Sequence, residues 1–449
     1  MNLKNYMKIT NISTRLRWIG VAILFAFFQT VSAQQTLTLK EAIDFALKNK
    51  AEALKAKNEI KRGDLQIKEA KSGALPQISA SGALQYNAII QESALQMNDE
   101  LMVIRMGQPW NTNATVSVYQ ALFDQRVFTG LKAAKSTREF YQINAQLTDE
   151  QIIERVSTAY YQVFVTEQKL QNIDASYDNT NKIKKIIQSL YDNGLAKEID
   201  LDRTKVGLVN IQSARQQIVN SVALQENALK FYMGMPIETE IELVGEDVTI
   251  NEYLLEEKFD YTKRTEVAAV LKQKELLGYN LEATKALLYP TVGLAANYGI
   301  NGFGQNFPIH NSTYWSDVAN FALQVKVPIF TGGATKSKIA QAQLDIDALD
   351  IDIKDMILGL DLEYHNAKTQ IENLVVNLAN QKENVALAKK VFDNTQANYQ
   401  HGLASLTEVL DSEQAYTEAK NNYSNVLLEY KVAEVALLKA RGELNTILQ

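Results

Sequence analysis

The chain has 449 residues, with 46 Lys and Arg against 52 Asp and Glu, and a formal net charge of −6. That acidic balance argues against nucleic acid or anionic lipid as the main partner. No cysteine is present, which excludes disulfides and thiolate metal sites, and His310, His365 and His401 are scattered without paired metal-ligand spacing, so no metal, cofactor or enzymatic chemistry is expected.

Residues 1–33 read as an export signal. Lys4, Lys8, Arg15 and Arg17 form a basic stretch, a short apolar run follows from Ile19 to Phe28, and Val31-Ser32-Ala33 supplies small residues for cleavage. The run is too short to span a bilayer. Removal after Ala33 leaves a more acidic chain beginning at Gln34, and the lack of cysteine there argues against a lipid anchor.

A helix is expected over Leu39 to Leu75, stopped by Pro76. Two strands come next. In the first, Ile78, Ala80, Leu84 and Tyr86 alternate with Gln77, Ser79, Ser81, Gln85 and Asn87. In the second, Ala114, Val116, Val118 and Leu122 alternate with Asn113, Thr115 and Ser117. From Arg126 to Leu190 there is no proline, and Ile152, Val156, Ala159, Val163, Leu170, Ile173 and Tyr177 keep coiled-coil seam spacing. At ~1.5 Å per residue such a helix reaches ~100 Å. A turn at Tyr191 to Ala196 leads into a returning helix over Ala196 to Tyr232, closed by Met233-Gly234.

Residues 235–263 read as a connector with a strand-like piece, Glu240 to Val244, and a short acidic helix. The same series of elements then recurs ~210 residues further on. A helix over Thr265 to Leu288 ends at Pro290. One strand sets Val292, Leu294, Ala296, Tyr298 and Ile300 against Thr291, Gly293, Ala295, Asn297 and Gly299. The next sets Phe321, Leu323, Val325, Val327 and Ile329 against Ala322, Gln324 and Lys326. A second long helix runs from Ala334 to Asn398 with Leu360, Tyr364, Ala367, Ile371, Leu374 and Leu378 as its seam. A turn at Tyr399 to Ala404 and a helix over Leu403 to Leu448 complete the series. The chain therefore divides into a first repeat (34–234), the connector (235–263) and a second repeat (264–449).

Each strand is about ten residues, the length a tilted strand needs to cross a membrane. Any half-buried antiparallel sheet alternates this way, but here the polar face is small and uncharged, as in a barrel lumen. Aromatic residues, Trp110, Phe303, Phe307, Tyr314 and Trp315, crowd the strand links, as at a membrane interface. Four strands cannot close a barrel, for which about eight is the smallest size, and an open edge in lipid is costly. Several chains must share one barrel. Two would give a filled lumen and three a real channel.

The sequence resembles the TolC family of outer-membrane efflux proteins over essentially its whole mature length. The carrying residues are Leu37-Thr38-Leu39-Lys40-Glu41-Ala42, Pro76 and Pro290, Val327-Pro328-Ile329-Phe330-Thr331-Gly332-Gly333, the two Tyr-x-x-Gly turns, and Met233-Gly234-Met235-Pro236. The resemblance implies a mainly α protomer with a transmembrane β part, internally duplicated. It implies a homotrimer with a shared 12-stranded β-barrel in the outer membrane of a Gram-negative bacterium, continued by a long coiled-coil α-helical barrel into the periplasm. Its implied partners are a periplasmic adaptor protein and an inner-membrane transporter, whose docking opens a closed tip.

The two turns become that tip. Tyr191, Gly194, Leu195 and Ala196 in one turn, and Gly402, Leu403, Ala404 and Ser405 in the other, are the implied docking surface. Tyr399 matches a tyrosine that bonds an acidic position, here Asp200, and Glu408 and Asp411 match acidic rings around the constriction. Some members add an arginine where this chain has Ala404. Asp200 and Glu408 also sit where any helix start favours negative charge. The competing reading is a cell-surface or periplasmic coiled-coil structural protein without a channel, which leaves the four matched strands unexplained.

Overall fold

The computed structural model describes residues 35–97, 100–245, 259–308 and 313–448. The expected signal segment and the acidic helix of the connector lie outside them. In chain order the elements are β1 (Gln35–Leu37), α1 (Leu39–Asn49), α2 (Ala51–Ser72), β2 (Gln77–Tyr86), β3 (Glu92–Met97), β4 (Glu100–Arg105) and β5 (Trp110–Phe123). Then come α3 (Gln125–Asp192), α4 (Glu198–Met233), β6 (Ile241–Leu243), α5 (Thr265–Lys285), β7 (Thr291–Gly304), β8 (Tyr314–Lys326), α6 (Ala334–Gln400) and α7 (Leu406–Ala440).

β2, β5, β7 and β8 form one antiparallel sheet in that order. The register sets Thr115 opposite Gly299 and Leu294 opposite Leu323. Along β7 the large apolar side chains Leu294, Tyr298 and Ile300 share one face and are exposed, while Gly293, Ala295 and Gly299 on the other are buried; Phe303, also exposed, falls by alternation on that second face. The pattern is inverted relative to a water-soluble sheet, and Phe321, 83% exposed on β8, belongs to the same apolar face. Such a face needs an apolar surrounding. Among the described residues β2 and β8 each keep one unpaired edge. No helix among the described residues is long and apolar enough to cross a membrane.

The strands run on directly into the helices. Asp124 caps α3 by accepting the Arg126 N–H at 2.9 Å, and Gly333 caps α6 in the left-handed region at φ 85°. α3 and α6 contain 68 and 67 residues, slightly longer than the sequence reading. Most of the expected seams are buried: Ile152, Val156, Ala159, Val163 and Ile173 in α3, with Leu170 and Tyr177 half-buried, and Leu360, Tyr364, Ala367, Ile371, Leu374 and Leu378 in α6. The last five pack on α7 through Val426, Leu427 and Tyr430.

Several features depart from the sequence reading. The strand expected to include Val327 and Ile329 ends at Lys326, just ahead of Pro328. The helix expected to reach Leu448 ends at Ala440, where Gly442 turns the chain at φ 72° into a short 3-10 turn. The helix expected over Leu39 to Leu75 is broken at Lys50, whose backbone is extended at φ −64°, ψ 133°. The Lys50 ammonium donates to the Phe231 carbonyl at 2.7 Å and sits 3.9 Å from that ring's centre, so docking onto the end of α4 turns the chain. A separate hairpin, β3–β4, stands between β2 and β5, with an Arg105–Glu92 ion pair of 2.8 Å across its open end. Finally, β1 pairs in parallel with β6, Gln35 opposite Ile241. The Tyr160 hydroxyl fastens that pair from α3, 2.8 Å from the Val244 carbonyl oxygen and 3.1 Å from that of Leu37.

Candidate functional site: the helix tips

At the ends of α3 and α6 the two chain reversals have the same geometry. Gly194 and Gly402 adopt φ 74° and 73°, which residues with a Cβ resist. Leu195 N–H donates to the Leu190 carbonyl and Leu403 N–H to the Asn398 carbonyl, both at 2.8 Å, closing the orphan carbonyls of the helix ends. The next residues project into solvent, Leu195 being 76% and Leu403 78% exposed. Tyr191 is exposed as well, while Ala196 and Ala404 are half-buried.

The returning helices start differently. α7 opens with a reciprocal capping box: Glu408 N–H donates to Ser405 Oγ at 3.3 Å, while Glu408 Oε2 accepts from Ser405 N–H at 2.6 Å. The Ser405 N–H, then its hydroxyl, hold the Glu408 carboxyl below the usual carboxylate range. Asp411 lies three residues on, and both carboxylates are exposed on one side of α7. α4 starts from Lys197 with no side-chain cap and carries Asp200, half-buried, in its first turn.

Tyr399 packs against the tip core formed by Ile183, Ile187, Leu201, Phe392, Leu406 and Val409. Burial, and then the nearby Asp200 carboxylate, raise its phenol above the ordinary tyrosine value. The fold thus brings Tyr399 within electrostatic reach of Asp200, although no hydrogen bond joins the two side chains among the described residues. Another bond does cross the tip. Arg203 Nη1 donates to Thr407 Oγ1 at 3.1 Å, linking α4 to α7.

The sequence reading missed two residues here. Arg203 is one, and only its place a turn beyond Asp200 hinted at it. Glu413 is the other, 4% exposed and accepting from the Thr417 hydroxyl at 3.1 Å. Burial pushes its carboxyl up against the hydroxyls of Ser176 and Thr417 and the Lys420 charge. The available signal was its seam position, a carboxylate in line with Leu406, Val409 and Tyr416. Arg203 and Glu413 lie along an open crevice of about 500 Å³ between α3, α4 and α7, which Ile173, Thr180, Val206 and Asn210 also line. Among the described residues no group of His, Asp and Glu could hold a metal ion.

A profile of the outer membrane efflux protein family matches residues 42–235 and 262–443. The chain is 23% identical over 411 residues to the outer membrane protein TolC of Salmonella enteritidis, covering 85% of this chain and 77% of that one. It is 20% identical over 419 residues to the proteases secretion protein PrtF of Dickeya chrysanthemi, covering 92% and 89%. Its fold superposes on the crystal structure of the outer membrane protein VceC from Vibrio cholerae with a TM-score of 0.70 at 18% identity, covering 90% and 96% of the two chains. An apolar-faced sheet that runs on into paired helices of such length, together with these matches, places the chain in the TolC-like outer membrane efflux protein family.

Proposed function

We propose that the chain is one protomer of a homotrimeric exit duct in the outer membrane, which discharges substrates delivered by an inner-membrane transporter and a periplasmic adaptor. The chain is an outer-membrane exit channel by family. The observation that supports this particular architecture is the open four-stranded sheet, apolar face outward, continuing straight into helices of 68 and 67 residues. Two unpaired edges per chain need neighbouring copies, since unpaired backbone in lipid costs several kcal/mol per group. Three copies give twelve strands and an open lumen, whereas two give eight strands and a lumen filled by side chains. Helices of this length extend ~100 Å from the membrane, at ~1.5 Å per residue.

Within this reading, the chain consists of two structural repeats, 34–234 and 264–449, joined through 235–263. Glu408 and Asp411 form two rings of carboxylates around the tunnel constriction. Low proton affinity at Glu408 keeps that ring charged, and charged rings at close quarters favour cations and repel one another. Tyr399 beside Asp200, and Arg203 on Thr407, hold the paired helices of the tip together. The latter bond stands in for the arginine that Ala404 displaces. Leu195 and Leu403, apolar and exposed, with Tyr191, Ala196 and Ser405 around them, are the surface for the adaptor's helical hairpin.

Mass measurement by light scattering in detergent, with negative-stain imaging, tests the assembly. A three-chain tube with one detergent-coated end is the expected particle, and a detergent-independent monomer overturns it. In planar bilayers, Glu408→Gln combined with Asp411→Asn is expected to reduce cation preference. Unchanged ion selectivity removes these two residues from the constriction.

A further inference from the structure

Far from the tip, where β7 and β8 pass into helices, a crevice of about 290 Å³ is lined by Arg126, Leu287, Tyr289, Lys326, Thr331 and Thr335. We infer that it is a binding site for amphiphilic organic anions, a carboxylate, sulfonate or phosphate on an apolar body, in transit through the duct. The inference rests on the channel reading above.

Four observations converge on an anion. Lys326 is exposed and has no carboxylate partner among the described residues. Arg126 is held to Asp124 through Nε and Nη2, which leaves Nη1 free. Thr335 is 6% exposed, yet its hydroxyl makes no hydrogen bond among the described residues while the residue lines the crevice. The oxygen itself is not sealed from solvent, so the hydroxyl is free to donate to a ligand oxygen held in the crevice.

The fourth observation is the start of α6. Its cap is Gly333, which brings no side-chain acceptor, and its first turn contains no acidic residue. Ala334 N–H reaches the Thr331 carbonyl and Ser337 N–H that of Gly333, while the N–H groups of Thr335 and Lys336 in between find no backbone acceptor among the described residues. Lys336 and Lys338 follow, cations at the positive end of a 67-residue helix, an arrangement unfavourable until an anion offsets it.

The register decides which side the crevice faces. Thr291, also in its wall, lies directly opposite Lys326. By alternation both belong with Gly293, Ala295 and Asn297 on the small, polar face, not with exposed Leu294 and Tyr298. In an assembled barrel that face borders the conduit. Leu287 and Tyr289 add an apolar wall, so a small inorganic anion leaves half of the site unused.

The test is single-channel recording of the full assembly in bilayers of zwitterionic phosphatidylcholine, with 2-naphthalenesulfonate as the probe and uncharged 2-naphthol as its control. Open conductance without probe establishes the channel, and its absence is a failure of the channel reading alone. The sulfonate is expected to block current in a saturable way and the naphthol is not. Lys326→Gln and Thr335→Val should each weaken block by about tenfold, the size expected for one lost hydrogen bond to a charged group, and Lys326→Arg should retain it. Block of equal strength in both variants overturns the site, as does no block at all. If the variants lose binding of phosphatidylglycerol vesicles but keep the block, the crevice serves a lipid headgroup and the inference fails.

Discussion

Replacing Glu167 with Gln isolates one electrostatic strain in the helical part. Glu167 lies on α3 near β6, half-buried, and faces Glu226 of α4 and Glu242 of β6. Burial first, then those two carboxylates, push its pKa from 4.5 to about 7. Nearby cations do little to offset this. Lys230 is engaged with Glu226 at 3.4 Å, and burial lowers the proton affinity of Lys169. The folded state therefore binds the Glu167 proton more tightly than the unfolded chain does. Its contribution is fully present below the unfolded value near 4.5 and is lost as pH rises through about 7. That rise in pKa corresponds to ~3 kcal/mol, and partial exposure and ionic screening bring the working figure to ~1–2 kcal/mol. Glutamine keeps the shape and never ionises. Thermal unfolding of Glu167→Gln followed by circular dichroism should show a midpoint raised by a few degrees at pH 8 and unchanged at pH 4. An equal gain at both values, or none at pH 8, refutes the assignment of the strain to this carboxylate.

Two further substitutions probe the joint near the chain's end. Gly442, at φ 72°, approaches so closely that an added Cβ would lie 2.5 Å from the Lys263 carbonyl oxygen, whereas Gly402, at φ 73°, has open space around it. Gly442→Ala should lower the thermal midpoint well beyond Gly402→Ala, which loses only the ~1–2 kcal/mol of left-handed strain. Arg264, 2% exposed, donates to Glu266, Glu363 and the Ala440 carbonyl. Arg264→Ala leaves those acceptors without their cation and should cost ~3–5 kcal/mol, read as a large fall in the unfolding midpoint.

The strands were legible because alternation is a local property: Leu294, Tyr298 and Ile300 alternate with glycine, alanine and asparagine whatever surrounds them. The long helices were legible because no proline interrupts them and their seams repeat. The break at Lys50 was not, since Asn49-Lys50-Ala51 carries no breaker. Its cause is a carbonyl 181 residues away in sequence. The β3–β4 hairpin escaped because Leu101 to Ile104 is an unbroken apolar run that does not alternate. At the tip, turn glycines and helix-start acids announce themselves locally. The nearness of Tyr399 to Asp200 came only through family resemblance, and the Arg203–Thr407 bond joins residues 204 apart, beyond any local pattern.

The unpaired edges of β2 and β8 also set a schedule for biogenesis. In water, each newly exported chain would present two rows of free backbone donors and acceptors beside a greasy face, a template for indiscriminate strand addition. The helical part buries its seams against its own helices and so does not depend on lipid for its core. With a barrel shared between copies, as proposed, the strand part settles only when neighbouring copies and a bilayer are both at hand. In the proposed assembly, insertion and oligomerisation are then one event, and both strand edges stay open until it happens.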